Sequence, residues 1–219
     1  YYMVQLGMNS REITFFSDHE KRINKLTAWI FLGICVLPII IHIMVCLGLY
    51  NLSYHLSLFT MICSLSFCLL IHLLNRFFPE LRIIKYIGII LLQIPVLIYA
   101  SDVNTQVTVA YMLVVFFSLL YFNSRLTIFA CFISLISAIF STILSAEQAV
   151  QLLWHDVTPL QYVLTTGSGR LIEIVASSVI FISVSILARN LLKSLYQRNE
   201  RIYAMQNQVV YGFADIIES

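Results

Sequence analysis

Charge is what this sequence has least of. Only 11% of its 219 residues are Asp, Glu, Lys or Arg, while 60% are hydrophobic. A soluble domain carries about a quarter charged residues. A chain with less than half that share cannot clothe a water-soluble globule, and its apolar content equally excludes disorder. A net charge of +2 leaves no basic surface for nucleic acid. Period-2 alternation is missing too, which excludes a membrane barrel. No HExxH, GxSxG, P-loop or CxxC occurs, so nothing points to hydrolysis or phosphate binding. We expect no catalytic residue, no metal and no cofactor in this segment. Cys35, Cys46, Cys63, Cys68 and Cys131 all lie inside apolar runs. They read as small buried hydrophobes.

What is present is a set of long apolar runs, which makes the chain a polytopic, all-α membrane protein. Six runs, near 26–48, 54–74, 84–100, 106–122, 126–145 and 171–190, are long enough or nearly so to cross about 30 Å of hydrocarbon. The third and fourth are short. Arg11, Lys21, Arg22 and Lys25 precede the first run. Arg76, Arg82 and Lys85 fill the second loop, Arg125 the fourth, and Arg189, Lys193, Arg198 and Arg201 follow the last run. All fall on one side of a six-span topology, and only Arg170 falls on the other. The positive-inside rule then makes both termini cytoplasmic. The segments are 1–25, a cytoplasmic N-terminal stretch; 26–190, the membrane domain; and 191–219, a cytoplasmic helix. The first run starts after charged residues and continues as a full span, so no cleavable signal peptide is expected. Met8 is a candidate start, with YYMVQLG upstream of it. Residues 9–25 read either as a short helix on the inner membrane face or as a solvated leader.

Small residues tell helices where to pack in lipid. The fifth run carries Ser134, Ser137, Ala138, Ser141 and Ser145, and the sixth Ala176, Ser177, Ser178, Ser183 and Ser185. These two helices are expected to form the tight centre. Pro38 and Pro95 should bend the first and third spans. Gln93 is the strongest mid-membrane amide and is expected to hydrogen-bond a neighbouring helix. Residues 146–169 are too polar to span and too apolar for a plain loop. With Trp154 and Tyr162 as interface anchors, they read as an interfacial or re-entrant helix ending at a Gly167-Ser168-Gly169 turn.

Charges within spans are candidates for function. Arg170 and Glu173 open the sixth span, three residues apart and so on one helical face. Two readings are open: an ion pair at the interface, or one wall of an outer pocket for a small polar ligand. His42, His55, Asp102, His155 and Asp156 would supply its other walls. His42 and His72 sit at unmatched depths, which disfavours a bis-His haem. All four lysines lie at cytoplasmic ends, which disfavours a retinal Schiff base.

After the last span, Ala188, Leu192, Leu195, Asn199, Ile202, Gln206, Val209, Phe213 and Ile216 alternate at spacings of four and three. That is a coiled-coil seam, with Asn199 and Gln206 at successive a positions, where polar residues select a parallel two-stranded pair. A single amphipathic helix packed on another surface is the alternative. The pattern runs to Ser219 without a stop signal, as in a connector to an output domain. Its end, QNQVVYGFADIIES (206–219), resembles the lead-in helix of bacterial HD-type phosphohydrolase domains, including the HD-GYP cyclic-di-GMP phosphodiesterases. There an "ADLIESRD"-like stretch precedes the first metal-binding histidine, and Ala214-Asp215-Ile216-Ile217-Glu218-Ser219 is similar to it. The resemblance covers about fourteen residues and carries over no catalytic residue. It implies the input region of a homodimeric bacterial signalling protein in the inner (cytoplasmic) membrane. A small transporter or permease subunit, or the sensor half of a histidine kinase, are the other classes considered.

Overall fold

The computed structural model describes residues 10–78, 81, 83–102, 108–152 and 157–218, and the side chains of residues 18–209 among them except residue 108. The described residues form six helices and no strand: α1 (Ser10–Cys46), α2 (Tyr54–Phe77), α3 (Ile84–Ala100), α4 (Thr108–Leu119), α5 (Ser124–Leu152) and α6 (Pro159–Glu218). Each packs against the next in sequence, and short connections make such neighbours antiparallel. The α1–α2, α3–α4 and α5–α6 connections therefore share one end, called distal below. Helix α1 begins, and α6 leaves, at the opposite, proximal end.

Four helices are long and apolar enough to cross a membrane: α1, α2, α5 and α6. Helices α3 and α4 have 17 and 12 residues, fewer than the roughly 20 an upright span needs. The fourth run ends sooner than its apolar residues suggest. Leu120–Phe122 is a turn with Phe122 at φ 47°. Asn123 then caps α5, its Oδ1 accepting the amides of Arg125 and Leu126 at 3.2 and 3.4 Å. Trp29, Leu37, Phe59, Leu69, Phe132, Ile172 and Val179 all face outward. So continuous an apolar exterior suits a membrane protein.

Helix α5 is the centre. Half of its most apolar stretch is buried, against 17–22% for the other three long helices, and it packs on α3, α4 and α6. Thr127, Ala130, Ser134, Ser137, Ala138, Ser141, Thr142, Ser145, Ala146 and Ala149 are all buried on it. Small side chains let three neighbours approach at once. Their hydroxyls cost little to bury because most return to the helix: Ser141 and Thr142 donate to the Ala138 carbonyl at 3.1 and 2.7 Å, and Ser145 to that of Thr142 at 3.3 Å. All five small residues expected at this centre are buried on α5. On α6 only Ser178 and Ser185 are buried, while Ala176 and Ser183 face outward.

The structure corrects two boundaries. Ser10 and Cys46 belong to one unbroken helix, so the leader is not a separate surface helix. Nor do residues 146–169 form an interfacial helix with a glycine turn. Helix α5 continues to Leu152, and α6 starts at Pro159 and runs straight through Gly167, Ser168 and Gly169. Its start is a capping box: the Thr158 amide donates to Gln161 Oε1 at 3.0 Å and the Gln161 amide to Thr158 Oγ1 at 3.3 Å. Pro159 occupies the first helical position, where no amide is missed. Gly167 faces α5: a Cβ on it would lie 3.5 Å from Thr142 Cγ2.

That distance is an ordinary contact, so Gly167→Ala should hold or slightly raise the melting temperature in detergent, by the equivalent of about 0.5–1 kcal/mol. Gly167→Phe should lower it through overpacking, by about 1–3 kcal/mol. Identical melting of all three proteins would mean that α5 and α6 do not meet here.

Candidate functional site

The buried stripe of α6 runs through Gly167, Arg170, Ile174, Ser178 and Ser185, at the three-, four- and seven-residue steps of one helix face. An arginine thus sits in line with the residues that bind α6 to α5. Only 7% of Arg170 is exposed. Its Nη1 donates to Thr142 Oγ1 at 3.1 Å, and that hydroxyl passes its own proton to the Ala138 carbonyl. The same carbonyl accepts from Ser141 Oγ, which in turn accepts from the Tyr111 hydroxyl of α4. One α5 carbonyl therefore gathers polar chains from α4 and α6. Within a bundle such bonds replace the water that a guanidinium would otherwise demand.

A second layer lies nearer the middle. Ser134 Oγ contacts Gln93 Oε1 of α3 at 3.2 Å and the Tyr111 carbonyl at 3.1 Å. The interhelical bond expected of Gln93 is present. Together the two layers tie α3, α4 and α6 to α5.

The residues proposed for an outer pocket come from several elements. Glu173 faces outward on α6 and does not pair with Arg170, which turns inward. Neither the ion-pair reading nor a shared wall describes them. Asp102 is buried just beyond α3, at the distal end. His42 belongs to the α1–α2 hairpin, away from α6. Its Nδ1 lies 2.9 Å from Ser57 Oγ. Because Ser57 donates to the Tyr54 carbonyl, the imidazole must be the donor to it. The remaining Nε2 then accepts the Cys46 thiol at 3.7 Å. His55 is exposed, with its ring against Tyr54. His155 and Asp156 lie outside the described residues. Among the described residues no three His, Cys, Asp or Glu side chains are grouped to hold a metal.

The proximal end carries a polar cluster that spacing alone does not reveal. Lys85, counted as a flanking charge, is buried and donates from Nζ to Glu20 Oε1 at 2.6 Å. Asn24 is its neighbour on α1. It accepts from Asn75 Nδ2 of α2 at 2.8 Å through its carbonyl, and from the Tyr121 hydroxyl at 3.0 Å through Oδ1. Tyr121 also touches Thr27 Oγ1 at 2.8 Å. His19 Nε2 reaches the Leu120 carbonyl at 3.4 Å. The lower part of α1 is thus fixed to α2, α3 and the α4–α5 turn.

No protein-family model, curated protein or solved structure matches this chain. None of these comparisons links the chain to HD-type phosphohydrolases.

A double-mutant cycle tests the upper layer. Thr142→Val and Arg170→Met should each lower thermal stability in detergent, with a coupling of about 0.6–2 kcal/mol between them. Strict additivity would place the guanidinium elsewhere.

Proposed function

We propose that this chain is the membrane input region of a dimeric signalling protein, crossing the bacterial inner membrane six times with both termini in the cytoplasm. The observation that carries this is the continuity of α6. One helix runs from Pro159 to Glu218, about 90 Å at 1.5 Å per residue. Its first half is packed on α5 and α4. Its second half leaves the bundle with Leu195, Ile202 and Val209 at 61%, 48% and 57% exposure. A lone helix of that length is marginal in water. A second copy of the same seam supplies the missing apolar contact, with Asn199 and Gln206 setting a parallel register.

Six crossings are supported by shared depth. Gln93 of α3 meets Ser134 at mid-α5, and Tyr111 of α4 meets Ser141. The two short helices thus lie level with the long ones, and a bilayer accommodates their length by local thinning. The one-sided distribution of Lys and Arg supports the orientation.

Signalling requires a stimulus that favours one placement of α6 over another. Arg170 and Thr142 fix α6 at its packed end, so a change there alters the helix that enters the cytoplasm. The likeness of 206–219 to HD-type lead-in helices supports a cyclic-dinucleotide phosphodiesterase as the output. The open polar-ligand role of the distal residues narrows to Arg170 and its α5 partner.

Cysteines placed one at a time at Leu195 and Ile202 should give disulfide-linked dimers in oxidised membranes. One at Gln197, on the far side of the helix from the seam, should not. Equal cross-linking at all three would sink the seam. Sequencing the gene past the Ser219 codon tests the output: an HD pair within a few dozen codons supports it, and a stop codon favours a transporter or accessory subunit. With the output present, Arg170→Gln should alter its regulation, while Glu173→Gln on the outward face should leave it unchanged.

A further inference from the structure

The α1–α2 hairpin does not close on α3 and α4. Between them lies a cavity of about 270 Å³, near the lower end of the range for small-molecule sites. Its α1 wall runs from Phe31 to Ile41, about 15 Å along the helix. The cavity is therefore long and narrow. Both in-helix prolines border it, Pro38 from α1 and Pro95 from α3. Each removes the amide that would bond the carbonyl four residues back. Those carbonyls belong to Ile34 and Leu91, which also line the cavity.

Every lining residue is uncharged, and nearly all are apolar. The exceptions are informative. Tyr50 and Tyr99 stand toward the distal mouth. Deeper in, the Cys35 thiol donates to the Ser64 carbonyl at 3.1 Å and joins α1 to α2. Ser64 itself is 5% exposed, and its hydroxyl has no hydrogen-bond partner. This is unusual on α2: Thr60 and Ser66 both donate to the carbonyl four residues back, the ordinary refuge of a buried hydroxyl. A buried hydroxyl without a partner costs free energy unless something in the cavity supplies one.

We propose that this cavity binds an uncharged, slender amphiphile, a single apolar chain with one hydrogen-bonding oxygen. The oxygen meets Ser64, and the chain lies along the Pro38 and Pro95 walls. A span of 15 Å holds about twelve carbons at roughly 1.2 Å per bond of an extended chain. The absence of Lys, Arg or His from the walls selects against a carboxylate or a phosphate head. The site lies apart from the Arg170 layer, and its occupancy does not depend on the sensory reading.

The test is saturable binding of tritiated 1-decanol to the full chain in phosphatidylcholine nanodiscs. Decane and decanoate are the competitors, because they share the chain and differ only at the oxygen. Decanol should bind saturably and decane more weakly, and decanoate at pH 8 should not compete. Ser64→Ala should weaken decanol by about three- to tenfold, the worth of one neutral hydrogen bond. It should leave decane unchanged. Ala110→Leu, which adds bulk to the cavity wall, should reduce all binding while the protein melts no lower. Non-saturable uptake would mean that a bilayer lipid's own chain fills the space, and would overturn the proposal. So would equal competition by decanoate, or decanol binding indifferent to both substitutions.

Discussion

The thinness of α5 is the constraint on which the rest depends. A helix surrounded by three others in lipid gains nothing from bulk apolar side chains, since the lipid offers the same contact. It gains from letting its neighbours come close. Ten buried Ala, Ser and Thr residues achieve this. Their hydroxyls serve twice, first by bonding their own helix and then by receiving groups from outside it. Thr142 is the clearest case: it donates to Ala138 and accepts Arg170. A leucine there would fill the seam and leave the arginine without that acceptor. The ladder of small residues is therefore both the packing surface and the polar spine.

The molecule divides at α3. At the proximal end the Glu20–Lys85 pair joins α1 to it, while Asn24 ties α1 to Asn75 of α2 and to Tyr121 in the α4–α5 turn. Helices α4, α5 and α6 form the other body, cemented by the layers around Ser134 and Thr142. The apolar cavity lies along the division. The strongest polar ties are thus at one end and in the centre, while the distal half of the α1–α3 boundary is lined mainly by apolar side chains.

Much of the helical plan is legible in the residues. Apolar runs locate all six helices, and the small-residue pattern marks α5 as central. The amide of Gln93 points to an interhelical bond, because a mid-membrane amide has nowhere else to turn. Thr158-Pro159-Leu160-Gln161 is also a readable start, a capping box with proline at the first position. The glycines at 167 and 169 misdirect: they suggest a turn, whereas both lie within α6, Gly167 against α5 and Gly169 on the outward face. The partners of Arg170 and Lys85 are not readable. They depend on the rotation and depth of helices that sequence spacing leaves free, and each lies 28 or more positions away along the chain.

An uninterrupted helix also behaves as a shaft. Between Arg170 and Glu218, α6 has no proline and a single glycine, Gly212, so little in it would absorb a turn about its own axis. A rotation that moves a guanidinium from one α5 hydroxyl toward another would re-aim every seam residue by a similar angle. The difference between two states would then be written as azimuth. On the proposed reading, an output joined to the far end would respond to which face of the helix is presented, more than to how far it has moved.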